Sequence, residues 1–261
     1  MPMPSARNEP DNFRYWARNQ FATLRRCVAY LETTDANENT SIGTCFHVGE
    51  GIFVTARHVV ESRTISIVGF DDSASLQHSL NNRENWGKKS HGSVSIVDGP
   101  YFHPEEKIDV ACFRINPIPD RYIPLGGHFD DLLGQFDLLL YRTLVMGYPP
   151  IPLSERPVLF ASVGEVNALV DLYLGGHPHF IVSTMARGGF SGAPVLVAYN
   201  EDNQKGGTAI LGMVTASLTA NHNAPENGYM AVLTVEPIYT CLEKHGMLPK
   251  CQTIGHSSED T

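Results

Sequence analysis

Short apolar segments that alternate with glycine, proline and polar residues most constrain the fold of this chain. The 261 residues include 23 glycines and 17 prolines. These stand between the apolar segments and do not form one tract, a pattern that favours many strands over long helices. Residues 116–132 are rich in proline and glycine and resemble a linker between two blocks of segments. We therefore predict an all-β protein of two packed antiparallel β-barrels or sandwiches, with a cleft between them.

The sequence divides into four parts on this interpretation. A short amphipathic helix near the start carries Phe13, Trp16 and Phe21, and a second helix is expected over residues 236–244. The last residues are polar and are expected to be flexible. The predicted boundaries are 1–23 for the N-terminal helical extension, 24–120 for the first barrel, 121–246 for the linker and second barrel, and 247–261 for the tail.

Charge and apolar content argue against two classes of partner. The formal net charge is −9, without a basic stripe, so we expect no nucleic acid partner. The longest apolar run, residues 136–145, is interrupted by Asp137 and Arg142, so we expect no membrane segment. The N-terminus lacks the apolar middle of a secretory signal, and the five cysteines form no CxxC pair. Free thiols in the cytoplasm are the expected state.

Three residues in separate segments suit a nucleophilic site. Ser191 lies in the glycine-rich stretch ARGGFSGAPVL, His58 in VTARHVV and Asp109 in KIDVACF. Serine is a poor nucleophile until a neighbouring base takes its proton, and imidazole is suited to that task near neutral pH. A carboxylate then holds the imidazole in one tautomer. Asp109 stands between apolar residues, where an unpartnered carboxylate is costly to bury.

Each candidate also has a plainer interpretation. Glycine–serine turns are common, Asp109 could merely cap a turn, and His58 is one of eleven histidines. A further motif, His177-Pro178-His179, could begin a metal site. Because it has no nearby third ligand, we expect a solvated loop there and predict neither a metal nor a cofactor.

Taken together and in order, these segments resemble a known family. GTCFHVGEGIFVTARHVV, YFHPEEKIDVACFRI and GGFSGAPVL resemble the His, Asp and Ser segments of trypsin-like serine peptidases of the chymotrypsin fold. VMGYPP, SVGEVNAL, ILGMVTAS and GYMAVLTVEPI are similar to the bacterial HtrA-like branch. We expect no PDZ-like module after these segments. The resemblance runs over about residues 28–242.

The resemblance implies a role for each site residue. Ser191 is the nucleophile, His58 the base and Asp109 the residue that orients His58. The backbone N–H groups of Gly189 and Ser191 form the oxyanion hole. The pocket for the P1 side chain has Met185 at its floor and residues 215–217 and 228–230 as walls; the first wall consists of Thr215, Ala216 and Ser217. The absence of an acid at the floor predicts a small or medium apolar P1 residue.

Departures from the secreted digestive relatives bear on control of the activity. Those relatives have Asp before the serine, which pairs with a newly cut N-terminus, whereas this chain has Phe190. Activation by propeptide cleavage is therefore not expected. We expect the loop over residues 186–190 to be shaped by a regulatory protein partner, by self-association or by the N-terminal helix.

The leading hypothesis is a regulated serine endopeptidase that acts on protein or peptide substrates. The alternative, from another class of protein, is a catalytically silent trypsin-fold module that binds proteins. All of Ser191, His58, Asp109 and Gly189 are present, which favours the enzyme.

Overall fold

The computed structural model describes residues 12–70, 94–126, 138–152, 154, 157–173, 177–199, 207–218 and 228–253. Within these ranges, twelve β-strands form two six-stranded antiparallel sheets, and three α-helices lie beside them. This architecture confirms the predicted all-β class with an N-terminal and a C-terminal helix. Among the helices of the described ranges, none has the length and apolar character needed to cross a membrane.

The first sheet has the strand order β4-β1-β2-β3-β6-β5. Its strands are β1 (Val28–Thr34), β2 (Thr40–Gly49), β3 (Ile52–Thr55), β4 (Thr64–Phe70), β5 (Ser95–Phe102) and β6 (Ala111–Asn116). The two edge strands do not close into a complete ring, although the N–H of Val94 donates to the carbonyl of Val68 at 3.1 Å. The sheet is therefore a half-barrel. Phe46, Phe53 and Phe113 are fully buried in it.

The second sheet is a closed barrel with the order β10-β11-β12-β9-β8-β7. Its strands are β7 (Arg142–Gly147), β8 (Phe160–Tyr173), β9 (His177–Ser183), β10 (Pro194–Tyr199), β11 (Gly207–Leu218) and β12 (Tyr229–Thr234). Closure pairs every strand on both sides, which removes the exposed edges of an open sheet. The turn that carries Ser191 leads directly into β10.

Helix α1 (Asn12–Leu24) attaches to the second barrel. Phe13 and Ala17 are buried, and the indole N–H of Trp16 donates to the Thr208 hydroxyl at 3.2 Å. The guanidinium of Arg142, on β7, lies 4.3 Å from the centre of the Phe13 ring, where a cation–π attraction adds to the packing.

The C-terminal part of the chain packs against the body of the protein. Helix α3 (Glu236–Lys244) buries Ile238, Cys241 and Leu242. Residues 247–253, which the sequence assigned to a flexible tail, also pack, because Met247 is buried and the Gln252 side chain donates to backbone carbonyls of the first sheet and linker. The rest of the predicted tail lies outside the described residues.

Tyr148 joins the two sheets beside the nucleophile turn. It follows β7 of the closed barrel, its hydroxyl donates to the carbonyl of Val28 at 3.2 Å, and its ring meets that of Tyr30 edge-on at 5.4 Å. Residues from both sheets pack into one apolar cluster, and a second apolar cluster fills the closed barrel. The segments that carry His58 and Asp109 contribute to the first cluster, and the Ser191 turn contributes to the second.

Candidate active site

His58 and Asp109 form a hydrogen-bonded pair in the half-barrel. His58 lies in α2 (Arg57–Val60), a single helical turn after β3, and Asp109 lies just before β6. The backbone N–H of His58 donates to one carboxylate oxygen at 2.9 Å, and Nδ1 of its ring lies 2.7 Å from the other. Because a carboxylate only accepts, Nδ1 carries the proton and Nε2 of the neutral ring keeps its lone pair. The imidazole is thus held in the tautomer that a general base needs.

The two side chains differ in their access to solvent. The His58 side chain is 51% exposed, whereas that of Asp109 is 26% exposed. The imidazole is therefore more accessible to solvent than the carboxylate that it binds.

Arg57 stands next to His58 but binds elsewhere. Its guanidinium lies 2.7 Å from a carboxylate oxygen of Glu61 and 4.9 Å from the centre of the Phe102 ring. In an extended strand, Arg57 would face away from His58 because neighbouring side chains alternate between the two faces. The segment is helical instead, and the i,i+4 spacing brings Arg57 to Glu61.

The backbone around Ser191 is fixed by three hydrogen bonds. The N–H of Thr44, on β2, donates to the Ser191 carbonyl at 2.9 Å. The N–H of Gly192 donates to the Val214 carbonyl at 2.8 Å, and that of Ala193 to the Phe190 carbonyl at 2.7 Å. The turn is thereby attached to both sheets at once.

Two glycines in this turn have backbone angles and surroundings that exclude a side chain. Gly189 and Gly192 have φ of +86° and +85°. A Cβ at Gly189 would collide with the carbonyl of Tyr148, and one at Gly192 would collide with the carbonyl of Thr44. The same Cβ at Gly192 would lie 3.1 Å from the backbone N of Ala56, two residues before His58. The missing side chain therefore lets the serine turn approach the histidine turn.

No hydrogen bond joins Ser191 to His58 in the part of the chain that the structure describes. The two turns are neighbours through Gly192 and Ala56, but the contact between nucleophile and base is not closed. Such contacts are often long without a substrate and tighten in the complex.

The N–H groups that the sequence assigned to the oxyanion hole are unengaged. Across the described ranges, neither the N–H of Gly189 nor that of Ser191 has a hydrogen-bond acceptor. The turn thus has, within the described residues, two unpaired backbone donors that are two positions apart.

Phe190 is fully buried in the core of the closed barrel. A Cβ placed on Gly147 would come 2.6 Å from its ring, which shows how closely the ring is enclosed. A charged residue here would need a buried partner. Packing therefore holds this position where an ion pair holds it in the digestive relatives.

The residues expected to form the P1 pocket lie on adjoining segments. Met185, Ala216 and Ser217 are half-buried, and Ser217 pairs with Met230 between β11 and β12. The N–H of Thr184 donates to the carbonyl of Gly228 at 2.8 Å, so floor and far wall are in contact.

Thr215 faces a different neighbour. Its side chain is buried, and with Asp109, His177 and His179 it lines a cavity of about 20 Å³ behind the carboxylate. The sequence alone does not show these neighbours of Asp109, because the segment before β6 and the strands β9 and β11 come together only in the folded chain.

The expected solvated loop at His177-Pro178-His179 is instead the start of β9. His179 is 3% exposed, and its Nδ1 donates to the carbonyl of His177 at 2.8 Å. Burial lowers the pKa of His179 and keeps the ring neutral. Among the described residues, no group of three His, Cys, Asp or Glu side chains could hold a metal ion.

The two six-stranded sheets define the class of the protein as a trypsin-like serine protease fold. A family model described as trypsin-like peptidase domain matches residues 43–202, more than half of the chain. The chain therefore belongs to the trypsin-like peptidase family. No curated protein matches it.

Solved structures with this fold include bacterial proteases. The Rv3671c protease from M. tuberculosis in its active form has a TM-score of 0.56 at 16% identity, covering 86% of this chain and 83% of that one. Its inactive form has a TM-score of 0.53 at 16% identity, with coverages of 87% and 93%. The HtrA-type protease AlgW with a tripeptide has a TM-score of 0.60 at 16% identity, covering 88% of this chain and 64% of that one. At this identity the likeness is one of fold.

Proposed function

We propose that the chain is a serine endopeptidase with Ser191 as nucleophile, His58 as general base and Asp109 as the residue that orients His58. The observation that carries this proposal is the double hydrogen bond between His58 and Asp109, at 2.9 and 2.7 Å. It leaves Nε2 of His58 as the lone-pair nitrogen of a side chain that is 51% exposed. The family and the adjacency of the two turns support the same roles.

The reaction follows from these positions. Ser191 Oγ attacks the peptide carbonyl while Nε2 of His58 takes its proton, and the new oxyanion is bound by the N–H groups of Gly189 and Ser191. The C–N bond then breaks, and the amine leaves with the proton from His58. Water repeats the sequence on the acyl ester and releases the second product. Asp109 stays ionised throughout and stabilises the imidazolium.

A fluorophosphonate probe tests the proposal directly, because it reacts with an activated serine. Wild-type protein is expected to be labelled, and Ser191→Ala and His58→Ala are expected to lose the label while remaining folded by circular dichroism. Folded wild type that takes no label at any pH from 6 to 9 would favour the catalytically silent binding module.

We propose that the substrate is a protein or peptide with a small or medium apolar P1 residue. Met185 is half-buried and packs against the core of the closed barrel, so a charged P1 side chain would have no counter-charge at the proposed floor. A peptide library scanned at P1 tests this preference. Strict cleavage after Arg or Lys would contradict it.

We propose that the activity is regulated by a partner or by self-association, and that the protein acts in the cytoplasm. The fold admits two states in a neighbour, since the Rv3671c protease is known in an active and an inactive form. The five free cysteines suit a reducing compartment. Specific activity measured over a hundredfold range of protein concentration tests self-association. A constant value would leave an added protein partner as the means of control.

A further inference from the structure

Thr44, on β2 of the half-barrel, makes more contacts with the nucleophile turn than any role in strand pairing requires. Its hydroxyl donates to the carbonyl of Gly189 at 2.6 Å and accepts from the N–H of Tyr148 at 3.0 Å. Its own N–H donates to the carbonyl of Ser191 at 2.9 Å. One buried residue of the first sheet thus binds two carbonyls of the turn, that of Gly189 and that of Ser191.

The first of these bonds acts next to a peptide group that needs an external constraint. The N–H of Gly189 belongs to the same peptide group as the carbonyl of Gly188. Within the described ranges that carbonyl has no hydrogen-bond donor, and a Cβ added to Gly188 would meet no atom within 4 Å. No hydrogen bond to its own peptide group therefore sets the direction of the Gly189 N–H. That direction depends on the next backbone group along the chain that a hydrogen bond holds in place.

The next backbone group held in this way is the Gly189 carbonyl, which accepts a hydrogen bond from the Thr44 hydroxyl. Glycine populates a wide range of dihedrals, so a bond to its carbonyl removes freedom that its own backbone leaves open. The N–H of Ser191, by contrast, lies in the peptide group of the Phe190 carbonyl, which already accepts from Ala193 at 2.7 Å. The two donors of the proposed oxyanion hole thus have separate anchors, and Thr44 supplies the one for Gly189.

We propose that Thr44 is a positioning residue for the reaction: its hydroxyl holds the Gly189–Phe190 peptide so that the Gly189 N–H points to where the oxyanion forms. This inference rests on the proposed function. The Thr44 hydroxyl binds backbone groups and none of the three proposed catalytic side chains. Its bond to Tyr148 also couples the oxyanion donor to the residue that joins the two sheets, so the packing of the sheets and the geometry of the hole are set together.

Thr44→Val is the decisive variant, because valine keeps the branched shape and removes the hydroxyl. Loss of a direct oxyanion donor costs about 10²–10³ in turnover, so loss of its anchor is expected to lower kcat by roughly tenfold or more. KM should stay within about twofold, since the ground-state substrate does not use the hole fully. Affinity for a peptide boronate, which forms an anionic tetrahedral adduct, should fall in parallel with kcat. Thr44→Ser keeps the hydroxyl and should retain most of the activity.

Thr33→Val is the matched control. Thr33 is fully buried in the same sheet, on β1, and its hydroxyl lies 3.1 Å from that of Ser41, away from the nucleophile turn. It should lose thermal stability without losing kcat. If Thr44→Val does not fold, Thr44→Cys replaces it, because a thiol is a weak donor of similar size.

The outcomes separate this inference from the function on which it rests. A wild type without Ser191-dependent labelling overturns both. An active wild type with unchanged kcat in the Thr44 variant overturns the positioning role alone. So does a loss of kcat that Thr33→Val shares, or one that Thr44→Ser fails to restore.

Discussion

Asp109 receives two hydrogen bonds from the same residue, one from the backbone N–H of His58 and one from its ring, at 2.9 and 2.7 Å. Both oxygens of the carboxylate are thereby committed to one partner. The first bond fixes the helical turn that carries His58, and the second fixes the tautomer of its ring. A single carboxylate thus sets both the position and the protonation pattern of the proposed base.

Asp109→Asn is expected to preserve the fold and to lower kcat by roughly 10⁴, because the amide donates to Nδ1 and leaves the proton on Nε2. Steady-state kinetics on a peptide substrate at pH 7.5 measure the effect. Glu61→Gln serves as the control, since it breaks an exposed pair with Arg57 and should change kcat by less than about twofold. Comparable losses in the two variants would contradict the special role of Asp109.

Gly189→Ala should abolish labelling by a fluorophosphonate probe, because φ is +86° and the new Cβ would collide with the carbonyl of Tyr148. Strain of this kind costs about 1–3 kcal/mol and turns the N–H away. The neighbouring Gly188→Ala is the control, since nothing lies within 4 Å of its Cβ position. The prediction fails if both variants are labelled at the same rate.

Phe190→Asp should lower the free energy of unfolding by about 3–5 kcal/mol, because it leaves an unpaired charge in the core of the closed barrel. Phe190→Leu, which stays apolar, should cost about 1 kcal/mol. Urea denaturation of the two variants measures the difference. An aspartate variant as stable as the leucine variant would mean that the position has a cationic partner.

The stability of the protein should fall as the pH drops below about 6.5. Burial lowers the pKa of His47, His103 and His179, with desolvation as the main cause for each. In the window between the lowered native pKa and the unfolded value near 6.5, the unfolded chain binds protons that the native chain does not. The free energy of unfolding therefore rises with pH across that window and levels off above it.

His47 offers a way to test this through one residue. Its Nδ1 lies 2.6 Å from the carbonyl of Arg121, and its Nε2 accepts from the N–H of Gly51 at 3.0 Å. Protonation of Nε2 would break the second bond. His47→Asn should be less stable at pH 7.5 and should show a flatter dependence of the melting temperature between pH 5 and 7. An unchanged slope would assign the effect to other histidines.

Thiol reactivity should divide the five cysteines into two groups. Cys27, Cys45, Cys112 and Cys241 are buried, whereas Cys251 is partly exposed. Burial raises the pKa of Cys27 to about 12, so little thiolate forms at pH 8. Titration of native protein with Ellman's reagent should show Cys251 reacting first, and full reaction should require denaturant. Cys251→Ser should remove the early phase.

Much of the fold follows from local patterns in the sequence. Short apolar segments predict strands such as β2 and β3, and the hairpin between them is marked by Gly49 and Gly51, both with positive φ. The order and flanking residues of the His58, Asp109 and Ser191 segments led to the family. Local patterns do not determine which strands of a sheet pair with each other and which remain at its edges. Hence the open edge of the first sheet could not be predicted.

The site shows the same limit at the level of single residues. Thr44 is one of several threonines in the strands of the first sheet, and its bond to Gly189 spans 145 positions in the sequence. His177-Pro178-His179 has the composition of a turn, yet pairing with β8 and β12 places it in a strand, because tertiary contacts override local preference. The polar side chain of Gln252 is ordered by hydrogen bonds to carbonyls of the first sheet and linker, which lie far from it in the sequence.

At Gly192 the two sheets approach each other too closely to admit a side chain. The Thr44 carbonyl and the Thr55 hydroxyl occupy the position that a Cβ at residue 192 would take. A single methyl group there would therefore push the serine turn away from the histidine turn. Because the contact with Thr44 is made by its backbone carbonyl, no change of side chain at position 44 would make room for a side chain at 192, and this position is expected to stay glycine.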